Sequence, residues 1–168
     1  RLGRYANTAA WSDADRPVQD TLAAARSMGV YTAANHPFVA PGFGSDWGFF
    51  EDSDADLAAL PDGLEVWNDD FWLTFSFAAI GRWDQEIARG RHLCGSGGSD
   101  VHGVGGATEV GRPTTVVYAS ELSRAAIVDG MKRCRMYLTD RPNGIKLTLT
   151  AKTAQGEAML GSTISGAA

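Results

Sequence analysis

Residues 61–70, Pro-Asp-Gly-Leu-Glu-Val-Trp-Asn-Asp-Asp, read as a turn, a strand and a helix start in immediate succession. Pro61-Asp62-Gly63 carries turn chemistry. Leu64-Glu65-Val66-Trp67 is a strand candidate, apolar around one carboxylate. Asn68, Asp69 and Asp70 are helix-capping types, and the sequence beyond them predicts a helix over roughly 71–89. A strand that passes straight into a helix is half of a βα unit.

The same order recurs on both sides. Upstream, Asp15 caps a predicted helix with Pro17 in its first turn; Val18, Leu22, Ala25 and Met28 form one face, and Gly29 ends it. Residues 30–35 then read as a strand, 37–53 as a long loop and 54–60 as a short helix. Downstream, strands are predicted at 92–96, 114–118 and 136–139, with a helix from an N-cap at Ser120 through Cys134. This alternation predicts an α/β fold built on a parallel sheet or barrel. From Gly144 the pattern alternates every second residue, at 145–150 and again at 159–164. The expected division is therefore a βα portion over 1–142 and the start of a β-rich appendage over 143–168.

In βα folds, sites gather at the C-terminal ends of the strands. His36, Glu65 and the pair Asp100/His102 each follow a predicted strand. Residues 95–106, Gly-Ser-Gly-Gly-Ser-Asp-Val-His-Gly-Val-Gly-Gly, pack six glycines around that pair. In extended chain, residues i and i+2 point the same way, so Asp100 and His102 can address one point. A carboxylate and a neutral imidazole suit Zn, Mn or Fe, and Gly97, Gly98 and Gly103 would let the loop wrap an ion. His92 is the weakest candidate. Spacing alone leaves the plain alternative open: a histidine after a strand often serves only as a hydrogen-bonding residue, and a glycine-rich turn as only a turn. Trp47, Phe49 and Phe50 read either as a lid or as packing at the loop base. Phe71, Trp72, Phe75, Phe77 and Trp83 read as helix core.

Composition narrows the function classes. The chain has 168 residues, 44% hydrophobic and 21% charged, with a net charge of -5. That is a globular composition rather than a disordered one. No Lys/Arg cluster marks a nucleic-acid face, and no apolar run reaches the length of a membrane span. Cys94 and Cys134 form neither a CxxC motif nor a disulfide framework. Two free buried thiols are expected in preference to a single bridge. No signal peptide is visible, and the compartment stays open.

Four motifs in order carry a resemblance: residues 29–37 (GVYTAANHP), 63–68 (GLEVWN), 98–103 (GSDVHG) and 111–115 (GRPTT). They resemble consecutive motifs of the PHP (polymerase and histidinol phosphatase) domain family, nearest its carbaryl-hydrolase-like phosphoesterase branch. Residues 136–140 (MYLTD) also fit, and the likeness covers essentially the whole chain. It implies the C-terminal part of a distorted (βα)7 barrel followed by a short β extension. It implies His36, Asp100 and His102 as metal ligands in a multinuclear site, with Asp100 and His102 catalytic. Glu65, Trp67 and Asn68 would lie at the pocket, and Glu65 is not assigned as a ligand; Arg112, next to the site loop, reads either as a contact to an anionic substrate or, in preference, as a structural surface residue. The implied cofactors are divalent metal ions (Zn, Mn or Fe), and the implied substrate is a small anionic or ester molecule. The family's HxH motif is absent from this sequence, so the resemblance also implies a further N-terminal segment that carries it, without which the fragment would be inactive. The alternative function is a non-catalytic metal-binding or scaffold module. An amidohydrolase-type barrel fits less well, because its late ligand Asp usually lacks a His two residues on.

Overall fold

A computed structural model of the chain describes residues 18–37, 61–69, 73–103 and 109–164. The predicted cap at Asp15, the 54–60 helix and nearly all of the 37–53 loop lie outside the described residues. So do Phe71 and Trp72.

Helix α1 (Val18–Ser27) buries Leu22 and Ala25 and ends at Gly29, whose φ of 68° is open to glycine. Met28, expected on the buried face, is exposed. Strand β1 (Ala33–Ala34) is shorter than the predicted 30–35. Thr32 explains the difference. Its backbone N–H and its hydroxyl both donate to the Asp62 carboxylate, at 2.8 and 2.9 Å. Asp62 N–H donates back to the Thr32 hydroxyl at 3.2 Å. The Thr32 N–H is thus taken by a side chain, while its carbonyl still accepts from Gly63 N–H at 3.0 Å.

Strand β2 (Gly63–Asn68) lies between β1 and β3 (Cys94–Gly98), and both pairings are parallel. All its residues are buried except the half-buried Trp67, as expected for a central strand covered on both faces. Helix α2 (Leu73–Ala88) returns the chain from β2 to β3. Ala34, Leu64, Val66 and Leu93 form the core, with Trp83 of α2 packed against them. The Trp83 indole N–H donates to Leu93 O at 2.7 Å and fixes α2 to the start of β3. Phe77, expected in the helix core, points to solvent.

Glycine gives β3 weak intrinsic strand preference, and packing explains its presence. A Cβ on Gly97 would lie 2.8 Å from Trp67 O and 3.2 Å from the Pro113 ring. The Thr115 hydroxyl accepts from Gly97 N–H at 2.9 Å and donates to Gly97 O at 2.7 Å. Gly97→Ala therefore forces β3 away from β2. The expected cost is about 1–3 kcal/mol, read as a lower urea midpoint at unchanged m-value.

Strand β4 (Thr114–Val117) and strand β5 (Met136–Thr139) form a separate antiparallel pair, where the βα pattern predicted parallel strands. Helix α3 (Arg124–Lys132) lies between them in sequence. Residues 118–123 lead away from β4 and α3 leads back, so β5 starts where β4 stopped. Tyr118 N–H donates to Arg135 O at 2.7 Å, closing that return. The cap of α3 is Ser123, whose hydroxyl accepts from Ala126 N–H at 3.2 Å. The predicted cap, Ser120, stands one turn too early. Leu138 of β5 packs on the core of the parallel sheet.

The appendage is a hairpin of β6 (Thr150–Thr153) and β7 (Gly156–Met159). The alternation was legible, but the strands sit elsewhere than at 145–150 and 159–164. Ile145, Leu147 and Leu149 are exposed and unpaired in any sheet. Leu149 O instead accepts from Leu160 N–H at 2.9 Å. No helix among the described residues is long and apolar enough to cross a membrane.

Candidate metal centre

The C-terminal ends of β1, β2 and β3 lie side by side because the strands are adjacent and parallel. Each end is followed by a non-glycine residue in left-handed backbone: His36 at φ 32°, Asp69 at 48° and Asp100 at 48°. His and Asp tolerate this region better than most residues. Backbone of this kind gathers at sites where a side chain must be re-aimed.

His36, Asp100 and His102 come together. His102 Nε2 lies 2.9 Å from Asp100 Oδ1. His36 Nε2 lies 3.9 Å from Asp100 Oδ2. Each imidazole thus faces a different oxygen of one carboxylate. The three do not bring one ligand atom each within 4.8 Å of all the others; among the described residues, only His92, Cys94 and Cys134 do so. Asp100 is the shared member of two pairs rather than one vertex of a tight triangle. The His102 side chain is 88% exposed and the His36 side chain 31%.

Glu65 sits beneath this arrangement on β2, buried. Its Oε2 accepts from the backbone N–H of His36 at 2.7 Å and from the Asn68 amide at 3.0 Å. Burial raises its pKa above the ordinary carboxylate value, opposed by those two hydrogen bonds. A Cβ on Gly98 would approach Glu65 Oε1 to 3.1 Å, so glycine at that position leaves room for the carboxylate. Glu65 therefore holds the backbone of His36, and Asn68 holds Glu65. His36 Nδ1 is buried with no hydrogen-bond partner, while Nε2 is the ring nitrogen that faces Asp100.

Asp69 N–H donates to Gly98 O at 3.1 Å and carries the β2–β3 ladder one step past the strands. Gly111 N–H donates to the Ser99 hydroxyl at 3.3 Å and ties the 109–113 turn to the site loop. Arg112, the sequence's candidate for an anionic substrate, contacts Glu109 at 3.3 Å. Trp47, Phe49 and Phe50 lie outside the described residues.

Sequence reasoning misjudged the cysteines. Cys94 and Cys134 are joined as a disulfide, with Cα atoms 5.0 Å apart. Neither thiol is free. Cys94 opens β3 and Cys134 follows α3, and the packing of these two ends brings them together.

No family model matches the chain, and neither the curated proteins nor the solved structures include a match to it.

Proposed function

We propose that this chain is the C-terminal part of a PHP-type βα barrel. On this reading it works within a metal-dependent hydrolase of phosphoesters or related esters and carbamates. The observation that carries the reading is the Asp100 carboxylate flanked by His102 Nε2 at 2.9 Å and His36 Nε2 at 3.9 Å. His36 follows β1, and Asp100 and His102 follow β3, the two parallel strands that flank β2, on the edge where βα enzymes place their chemistry.

The donor set fits a divalent ion. Two imidazoles and one carboxylate are borderline to hard ligands, and the buried, unpartnered Nδ1 of His36 shows that its ring is not consumed by structural bonding. His36, Asp100 and His102 would hold the ion. A divalent cation there supplies water activation, lowering the pKa of bound water toward ~7, and charge neutralisation at phosphoryl oxygens. Asp100 keeps both imidazoles facing the site. Glu65 fixes the height of His36 through its backbone N–H. His36 is half-buried and His102 exposed, so the two imidazoles flank Asp100 at different depths.

A non-catalytic metal-binding module is the second reading. The two-pair geometry favours it, because fewer than three ligand atoms meet at one point. Hydrolysis of bis-p-nitrophenyl phosphate separates the two. With Mn²⁺ or Zn²⁺ added to the protein together with any upstream segment it possesses, turnover is expected, lost on chelation and restored by metal. Stoichiometric metal binding without turnover on phosphodiester, carboxylester or carbamate probes would select the module instead.

A further inference from the structure

We propose that His92, Cys94 and Cys134 form a redox-gated site for a soft divalent cation of the zinc type, closed as the disulfide and open once reduced. The inference stands apart from the hydrolase reading and uses none of its residues.

Three ligand atoms, one from each residue, lie within 4.8 Å of one another. His92 Nε2 is 3.5 Å from Cys134 Sγ and 4.0 Å from Cys94 Sγ. A disulfide needs no imidazole beside it, yet this one has a ring nitrogen within reach of both sulfurs. The backbone under the group is anchored independently of the bridge. Cys94 N–H donates to Asp62 O at 2.9 Å, and Cys134 N–H donates to Met131 O at 3.0 Å. Reduction would therefore leave the two sulfurs near their present places. Two thiolates and an imidazole are the ligand set zinc prefers, with a fourth position open to water.

Charge and access agree with this. Arg135 follows Cys134 in the sequence, and a cationic neighbour favours thiolate over thiol; Arg91 and Arg133 are each already paired with a carboxylate, Glu86 and Asp129. His92 and Cys134 line a cavity of about 600 Å³ whose walls include Trp83, Met136, Leu147 and Leu160. The cavity admits a small reductant and an ion.

The chemistry balances with a dithiol as reductant. The dithiol gives two electrons and two protons to the S–S bond and becomes a cyclic disulfide, leaving two thiols on the protein. Binding of the dication then releases both thiol protons to solvent. His92 Nε2, which donates to Lys132 O at 2.9 Å, gives up that bond as the ring proton shifts to Nδ1 by exchange with solvent, and the freed lone pair takes the ion. Disulfide sulfurs are poor ligands, so the oxidised chain holds no ion here.

The test uses the full chain, oxidised or reduced with a phosphine that is then removed, and titrated with Co²⁺. The reduced chain is expected to show thiolate-to-cobalt charge-transfer absorption at one equivalent, displaced by Zn²⁺; the oxidised chain shows none. Cys134→Ser should abolish the signal, and His92→Ala should weaken binding at least about tenfold. Asp100→Asn should leave it unchanged, which separates this site from the hydrolase centre. Three results would overturn the proposal. One is a reduced, folded chain without the charge-transfer band. Another is undiminished affinity in His92→Ala. The third is collapse of the near-ultraviolet circular dichroism on reduction, which would make the bridge a structural staple alone.

Discussion

Asp100→Asn is expected to lower metal-dependent hydrolysis by about 10²–10³-fold or more while the chain melts within a few degrees of the parent. Asparagine is the informative substitution because Asp100 occupies φ 48°, a conformation that asparagine shares with little strain and alanine does not. The shape is kept and only the charge goes. What is lost is the anion between His102 at 2.9 Å and His36 at 3.9 Å. Without it, two imidazoles remain as neutral ligands with nothing to balance a dication. Bound Mn²⁺ or Zn²⁺, measured by equilibrium dialysis, should fall in parallel with activity. His102→Ala supplies the control for folding. Its side chain is 88% exposed, so its removal should barely shift the melting temperature while still depressing turnover. If Asp100→Asn and His102→Ala both keep full activity and full metal content, Asp100 is not the anchor and the proposed centre fails.

The elements most legible in the sequence were those whose pattern and packing agree. β2 was legible because Leu64 to Trp67 are strong strand formers, and burial on both faces kept them so. α2 followed from its apolar run, whereas Asn68, expected in its cap, belongs to β2 and Asp69 extends the β2–β3 ladder; β5 (Met136–Thr139) matches its predicted range. Other features depended on contacts that sequence does not display. The break between β1 and Thr32 rests on the Asp62 side chain thirty residues away. Ser120 and Ser123 are equally good capping types, and only the start of the return path from β4 chooses the second. The antiparallel β4–β5 pair depends on how far residues 118–123 travel before α3 turns back. The cysteines, separated by 40 residues, carry no local signal that they meet. The candidate residues His36, Glu65, Asp100 and His102 stood out because each follows a predicted strand. Their mutual geometry, two pairs sharing one carboxylate, was not, since the direction of an imidazole depends on backbone torsions such as the φ of 32° at His36.

Glu86→Ala should produce the largest loss of stability among single changes in the described residues. Glu86 is fully buried on α2 and gathers three guanidinium groups. Arg82 Nε stands 2.8 Å from one of its oxygens and Arg89 Nη1 2.9 Å. Arg91 Nη1 bonds the other. Alanine would leave three cations converging on an empty, water-poor position. Removing one partner of a buried ionic group costs about 3–5 kcal/mol. For a chain of this size each kcal/mol lowers the melting temperature by roughly 2–4 °C, so a fall on the order of 10 °C is expected by calorimetry. The three arginines should differ among themselves. The Arg91 side chain is 8% exposed and the Arg89 side chain 45%. Arg91→Ala should therefore approach the Glu86 effect, whereas Arg89→Ala should cost less than about 1 kcal/mol. A double-mutant cycle of Glu86 with Arg91 isolates their coupling. The consequence reaches beyond α2. Arg91 directly precedes His92, Leu93 and Cys94, and Trp83, one turn before Glu86, holds Leu93 O. The ionic cluster and the indole together set where β3 begins, and β3 carries Gly97, Gly98 and, past its end, Asp100. Glu86→Ala should then reduce metal affinity at Asp100 as well as the melting temperature. A loss below about 1 kcal/mol would show that water reaches the three guanidinium groups and that the cluster contributes no more than an exposed ion pair.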